Sequence, residues 1–525
     1  MSTNSNRYSR RRFLTLAGAT AAAGLAAACG GAATPAAAPA ATQAPQSTQA
    51  GAATQAVAAT SAPTTAPSTG KSVTLKYVYT NFVGVPTDQK LVADALNKIT
   101  QDRINAKMDL QNLEYGSFND KVQLMSAGGE QYDLVYTANW VNDYYKNVNN
   151  GQFVALDDLI PNLAPGLWKS MPTATWGAAK VQGKLYAGIN QQEFPKIGGF
   201  IVKKSIADKY KLDVNTINKW EDLEPYLEQV KNGEKITPFV SSTGFLQQEI
   251  CGYGDVDDAM GWIWVKPDDK SATLVNQFNA TRFQQLWDVE RSWWNKGYFP
   301  KEDPKLDQEA DLLKANKAVF QWQPVIKPKF ESEYVARTGW DLYQRALAPG
   351  ILTTAGITAT LTGVSRTTVS KEACAKWLEL VNTDKPTYNL LCLGIEGKHW
   401  NWVDKANEVI QQVQNSGYNP TTDWMFGNQF NAYYRDPKSV GAWPAGKQIN
   451  DSATPMPTLG FVMNRDPVKN EIASVSSVYT GYVPTGPQGI PASDLSKATS
   501  AMDAAGNKKI MDEMAKQIAA WMKTK

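Results

Sequence analysis

Several short stretches pair an aromatic ring with an amide or a carboxylate. They are Asn139-Trp140, Asn190-Gln191-Gln192-Glu193, Gln321-Trp322-Gln323, and Glu396 with Trp400. A ring offers a broad apolar face with little rotamer freedom to lose, and an amide both donates and accepts hydrogen bonds. Together they suit the reversible capture of a compound with apolar faces and a polar rim. Trp262-Ile263-Trp264 and Trp443 add aromatic candidates in loops, with one Trp of the alternating pair expected inward and the other exposed. Asn81 joins them after the first strand.

Bond-breaking chemistry finds less support. His399 is the only histidine, so a histidine-based zinc site is excluded by count. No Gly-x-Ser-x-Gly elbow accompanies it for a Ser-His-Asp site. A glycosidase needs two carboxylates facing across a cleft, and the spacing of the acids nominates no pair. Asp255, Asp257 and Asp258 lack the twelve-residue calcium loop with its closing Glu. The chain is expected not to be an enzyme, and no cofactor or metal is called for.

The elements that must position these residues follow from periodicity. Residues 73–79 alternate as a strand, and Pro86 opens a helix to about residue 104 with Leu91, Val92, Ala95, Leu96 and Ile99 on its apolar side. Residues 108–113 read as a strand, 118–126 as a helix stopped at Gly128-Gly129, and 132–136 as a strand buried on both faces. Strand and helix in alternation predict a parallel, doubly wound sheet. Ligands then sit beyond the carboxyl ends of the strands, which places residues 80–82 and 137–140 at a cleft rim. A turn at Gly183 and strands on either side of a loop at 191–195 follow. Helices are expected near 205–210, 220–230, 281–296, 308–317 and 371–382, the last ended by Lys385-Pro386. A strand is expected at 318–322. A final helix carries Ile510, Met514, Ile518 and Trp521 on one stripe.

The first seventy residues carry an address. Ser9-Arg10-Arg11-Arg12-Phe13-Leu14 begins a basic stretch, an uncharged run reaches Ala28, and Cys29 follows three alanines. The run falls short of the roughly 20 residues that span a bilayer, and its small residues suit a signal peptidase. The start resembles a twin-arginine export signal, and Ala26-Ala27-Ala28-Cys29 resembles a bacterial lipobox, although Leu25 stands one place early. Residues 1–28 are thus expected to be a signal peptide. Cys29 is expected to be lipidated, with 29–70 an Ala/Thr/Pro-rich disordered tether without charge. The expected location is outside the cytoplasm, on the membrane.

Residues 71–525 exceed the usual size of one core, so two lobes are expected. Net charge is +3, and Arg7, Arg10, Arg11 and Arg12 all precede Cys29, so the body is close to neutral. That argues against nucleic acid as a partner, since phosphate binding needs a basic face. Cys251, Cys374 and Cys392 remain in the body; one bridge between Cys374 and Cys392 and three buried thiols are both compatible with the sequence.

Lipobox, tether and an α/β body with Gly183-Lys184-Leu185-Tyr186 before a crossing strand resemble the extracellular solute-binding proteins, family 1. The resemblance is strongest to the lipoprotein branch, through residues 393–400 (Leu393-Gly394-Ile395-Glu396-Gly397-Lys398-His399-Trp400) and through Gly460-Phe461-Val462-Met463 on to Asp466-Pro467-Val468-Lys469-Asn470-Glu471-Ile472-Ala473. It implies a two-lobed, periplasmic-binding-protein-like α/β fold of type II, each lobe a doubly wound sheet with helices on both faces, and a ligand cleft between the lobes. It implies passages between lobes near 194–199, 351–360 and 394–400. Lobe 1 is then 71–197 plus 351–395, and lobe 2 is 198–350 plus 396–525. It implies a monomeric receptor that delivers a sugar, foremost an oligosaccharide, to the transmembrane subunits of an ABC importer. Rings would take the sugar faces and amides the hydroxyl edges. Asn81, Asn139, Trp140, Gln191, Trp262, Trp322, Glu396, Trp400 and Trp443 are the candidate contacts. The alternative reading is a secreted carbohydrate-active enzyme or a surface glycan-binding module.

Overall fold

The computed structural model describes residues 71–524, apart from 82, 83, 330, 332, 333, 335–337, 421, 484, 485 and 493. The signal segment, Cys29 and the tether lie outside the described residues.

Strand β1 (Val73–Asn81) is buried on both faces from Tyr77 onward. Helix α1 (Gln89–Ile104) follows, burying Val92, Leu96 and Thr100 four residues apart on one stripe and ending at Asn105 in the left-handed conformation that Asn tolerates. Then come β2 (Ala106–Glu114), α2 (Tyr115–Ala127) and β3 (Leu134–Thr137), and β1 pairs in parallel with both β2 and β3. After β4 (Ala187–Ile189) the chain leaves this sheet.

The second sheet holds β5 (Gly199–Lys203), β6 (Phe239–Val240), β7 (Phe320–Gln323) and β8 (Leu342–Ala346), with helix α3 (Thr281–Asn295) between β6 and β7 in the chain. The chain returns through β9 (Ile351–Leu352) and adds β10 (Leu361–Val364) to the first sheet. Helices α4 (Lys371–Thr383) and α5 (Lys385–Leu393) follow, then the hairpin β11 (Trp400–Asp404) and β12 (Val409–Gln412). Strand β13 (Thr454–Pro455) precedes helices α6 (Lys469–Tyr482), α7 (Leu495–Ala504) and α8 (Asn507–Met522).

Among the described residues the first sheet has the order β2-β1-β3-β10-β4, and the second the order β8-β5-β7-β6. Strand β10 is antiparallel to both its neighbours, so β1, β2, β3 and β4 all run the same way. Strand β5 is antiparallel to β7 and β8, and β6 is parallel to β7. Each sheet has its own large core. One gathers Leu75, Tyr77, Leu134, Val135, Trp377 and Tyr388; the other gathers Phe200, Trp220, Phe239, Trp293, Phe320 and Met514. This is the expected architecture of two α/β lobes.

Core membership changes between Phe194 and Phe200, between Ile351 and Leu352, and across 453–461, which marks three passages between the lobes, and β9 and β13 lie side by side in the last two. The third passage differs from the one expected at 394–400. There Gly394, at φ 80°, closes α5, and the Trp400 indole N–H donates to the Gly394 carbonyl at 2.9 Å within the same lobe. Trp400, Val409, Ile410, Met425, Phe426 and Trp443 all join the first core. Residues 396–453, expected in lobe 2, therefore pack with lobe 1, because their apolar side chains are buried there. Helix α4 ends just before Lys385-Pro386, as expected, but these residues also open the next helix. Asp384 caps a new helix by accepting from Thr387 N–H at 3.0 Å, and Pro386 occupies its first turn, where a missing N–H costs nothing. Cys251, Cys374 and Cys392 are buried free thiols.

Candidate functional site

Strand direction locates the site. Strand β4 runs into the first passage, so β1, β2 and β3, parallel to it, also end at the interlobe side. Strand β5 starts from that passage; β7 runs against it and β6 runs with β7, so both end there too. The carboxyl ends of both sheets face the junction, where an α/β fold places its ligands.

On lobe 1 that side carries an aromatic shelf. Trp140, three residues past β3, is 46% exposed, and Tyr115, the first residue after β2, is 43% exposed. Their ring centroids lie 6.2 Å apart, tilted by 39°. Trp424 lies 6.2 Å from Trp140 on a similar tilt of 36°, and Tyr136 meets both edge-on from below at 6.5 and 6.1 Å. The Trp140 indole N–H donates to the Ala359 carbonyl at 2.8 Å, and Asn139 binds the Thr358 and Ala355 carbonyls through its backbone and side-chain N–H groups. The returning chain at 355–359 thus fixes the β3 loop and holds the ring in place. Such rings can accept the apolar face of a ring compound while its edges stay free for hydrogen bonds.

Asn81 ends β1 but is buried. It donates to Asn112 Oδ1 at 2.7 Å and to the Leu113 carbonyl at 3.2 Å, and accepts from Gly84 N–H at 2.5 Å, so it shapes the β1 turn. Gln191 is buried in the first passage. Its backbone pairs with Gly427 and Gln429, and its amide donates to Asn382 Oδ1 at 3.2 Å. It holds the 425–431 segment that carries Trp424's neighbours. Glu193, two residues on, is a buried carboxylate packed against Gly446, with the Lys327 ammonium of lobe 2 at 3.9 Å.

The remaining candidates lie elsewhere. Trp322 is the next-to-last residue of β7 and turns into the second core, 5% exposed, 5.6 Å from Trp220 and against Gly198. Trp262 and Trp264 are both buried: two neighbouring strands cover Ile263–Val265, and Trp262 donates to Asn507 Oδ1 of α8 at 2.9 Å, so neither ring is the exposed one expected. Glu396 is exposed in the turn before β11, Trp400 is buried, and Trp443 stacks on Tyr434 inside the first core. His399 has a structural setting: Nδ1 accepts from Ile395 N–H at 2.8 Å, and Nε2 lies 3.2 Å from Asp88. Hydrogen bonds from Lys398 and His399 hold the Asp88 carboxyl below its usual range.

Sequence reasoning missed Tyr115 and Trp424. Tyr115 obeys the same strand-end rule that found Trp140. Trp424 sits in a short turn 284 residues from Trp140, and nothing local marks it. In the polar floor of lobe 2, sequence reasoning named Gln321 and Gln323 with Trp322 and missed Glu309. Glu309 accepts from Ser242 N–H at 2.5 Å and from the Gln321 amide, and Gln321 Oε1 accepts from the Gln323 amide at 2.7 Å. Burial pushes the Glu249 carboxyl up to about 7, opposed by a backbone hydrogen bond and by Lys196. Glu290, wholly buried against Gly244, is raised well above the carboxylate range by the same cause.

No cluster of three metal-ligating side chains occurs among the described residues. Asp257 instead forms a two-pronged pair with Arg465 at 3.0 and 2.7 Å. No helix among them is long and apolar enough to cross a membrane.

With the geometry in view, three comparisons bear on it. Residues 457–523 match a domain of unknown function, DUF3502, which covers the end of the third passage and α6–α8. A carbohydrate ABC transporter substrate-binding protein of Streptococcus pneumoniae is 24% identical over 445 residues, 83% of this chain and 88% of the relative. Among solved structures, the N-glycan transport solute binding protein of the same organism superposes with a TM-score of 0.76 at 21% identity, covering 86% of this chain and 99% of that one. Its complex with Man1GlcNAc superposes at 0.67. An extracellular solute-binding protein of Bifidobacterium longum subsp. infantis superposes at 0.60 with 13% identity, covering 86% and 98%. The two-lobed solute-binding architecture is common to all of them.

Proposed function

We propose that this chain, a relative of carbohydrate ABC-transporter substrate-binding proteins with their two-lobed fold, is a receptor that captures a carbohydrate between its lobes and passes it to an ABC importer. The observation that carries the reading is the shelf at the strand ends of lobe 1, where exposed Tyr115 and Trp140 lie beside half-buried Trp424. Exposed tryptophan held by a hydrogen bond costs solvation without repaying it in packing, and a sugar face laid on it removes that cost. Adjacent rings on similar tilts favour a ligand with more than one sugar unit, an oligosaccharide. A ligand touching both lobes stabilises the closed arrangement by its differential contacts. The chemistry is binding without turnover.

The N-terminus completes the proposal. Acylated Cys29 anchors the mature chain, residues 30–70 act as the tether, and the twin arginines route export. Tethering a monomeric receptor to the importer's membrane raises its effective concentration there.

The test is calorimetric titration of the purified protein with a panel of neutral oligosaccharides that includes Man1GlcNAc, with tryptophan fluorescence in parallel. Saturable binding with unchanged sugar supports the receptor. Steady release of reducing ends, or no binding across the panel, overturns it. Cys29→Ser should move the protein from the membrane to the soluble fraction; retention on the membrane would remove the anchor.

A further inference from the structure

A single buried carboxylate fastens both cleft-edge segments of lobe 2. Glu309 is 3% exposed on the helix Leu306–Lys314. One oxygen accepts the backbone N–H of Ser242, in the loop that follows β6; the other accepts the side-chain amide of Gln321 on β7. An ionised carboxylate only accepts. That fixes the sense of the next link: Gln321 must turn its NH2 to Glu309 and its Oε1 away. Gln321 Oε1 then accepts the NH2 of Gln323 at 2.7 Å. The order passes along the strand, and Gln323 is left with its carbonyl Oε1 outward. Among the described residues, the hydrogen bond that the Gln323 side chain makes is the one its NH2 donates. Gln323 is the last residue of β7, paired with Gly199 where the chain enters lobe 2, so this end of the relay faces the junction.

We propose that Glu309 is a positioning residue that sets the polarity of the Gln323 amide, so that lobe 2 offers the ligand an acceptor and selects a hydroxyl or amide N–H at that point. The proposal rests on the receptor reading for what the ligand is, and on the buried relay for how the amide is set. A neutral partner at position 309 would let the chain of amides run in either sense, and the selection would be lost while the fold stayed filled.

Glu309→Gln keeps the shape and removes the acceptor-only group. The first readout needs no ligand: exchange of the Gln321 and Gln323 side-chain amide protons, followed by NMR on protein labelled at glutamine nitrogen. Both amides should be protected in the native protein, and both should exchange at least about tenfold faster in Glu309→Gln, because the charge-assisted bond is the strong link. The second readout is selectivity. Man1GlcNAc and its mono-deoxy analogues are titrated into the native protein, Glu309→Gln and Gln323→Met. One deoxy position should cost the native protein about tenfold, the usual consequence of leaving a buried acceptor unpaired. That penalty should fall below about threefold in both variants, with Glu309 intact in the second. Unchanged amide exchange in Glu309→Gln, or a deoxy penalty that survives both substitutions, overturns the proposal. Failure of the native protein to bind any of these sugars counts against the carbohydrate reading instead, and the amide exchange still decides the relay.

Discussion

Replacing Trp140 by alanine removes the centre of the shelf. A tryptophan side chain presents about 200 Å², so 46% exposure leaves about 90 Å² open to a ligand. A sugar laid on one face covers about half of that, which at ~25 cal/mol per Å² is about 1 kcal/mol. The ring face adds a contribution comparable to that of aromatic pairs, about 1 kcal/mol. The sum is about 2 kcal/mol, or about thirtyfold in Kd. Trp140→Ala also loses the bond to Ala359 and its buried half, so a fall in stability of about 3 kcal/mol accompanies it. Trp140→Phe separates the two effects. It keeps a ring face and loses the indole N–H, so affinity should stay within about threefold while stability drops by about 1 kcal/mol. The assay is calorimetric titration with the tightest neutral oligosaccharide, beside urea unfolding of each variant. A folded Trp140→Ala protein with native Kd would refute the shelf as the contact surface.

Trp322→Ala should behave in the opposite way, because its ring is core: a loss of about 3–5 kcal/mol in unfolding free energy, with affinity in the remaining folded protein little changed. A strong affinity loss at native stability would return Trp322 to the ligand. Glu249 should make stability fall with rising pH. Its carboxyl is raised from 4.5 to about 7 by burial, so the folded chain binds the proton more tightly; stability is full below pH 4.5, declines through pH 7 and levels off above. The decline is on the order of 3 kcal/mol, and Glu249→Gln should flatten it in urea midpoints compared at pH 5 and pH 8. Gly199→Ala should destabilise by about 1–3 kcal/mol, since a Cβ there would lie 2.0 Å from the Arg345 carbonyl of β8; a native melting temperature would contradict this.

The opening of lobe 1 was legible because each element there keeps its own period. Strand β1, α1, β2, α2 and β3 were all expected within a few residues of their positions. The stripe of Ile510, Met514 and Ile518 was equally plain on α8. Where the sequence misled, a local signal had two uses. Pro386 reads as a stop and serves as a start. Trp322 lies near the end of a strand at the cleft, as its position suggested, but strand alternation sends its ring to the core and leaves Gln321 and Gln323 on the other face. Trp262 and Trp264 alternate, but β-strands and α8 cover both faces, which no local pattern records. The third passage was misplaced because allegiance to a lobe is decided by distant packing: Trp400 and Phe426 join a core whose strands were laid down some 300 residues earlier.

The interleaving of the lobes sets an order of assembly. Strand β10 lies between β3 and β4 in the first sheet, with 171 residues between the end of β4 and the start of β10. Lobe 1 therefore cannot close its sheet until most of lobe 2 has been synthesised as an insertion in its middle. Lobe 2 in turn waits for α6–α8 to complete its core. Contacts this far apart in sequence form slowly. A chain cut short anywhere before about residue 520 leaves apolar surface open on the second lobe.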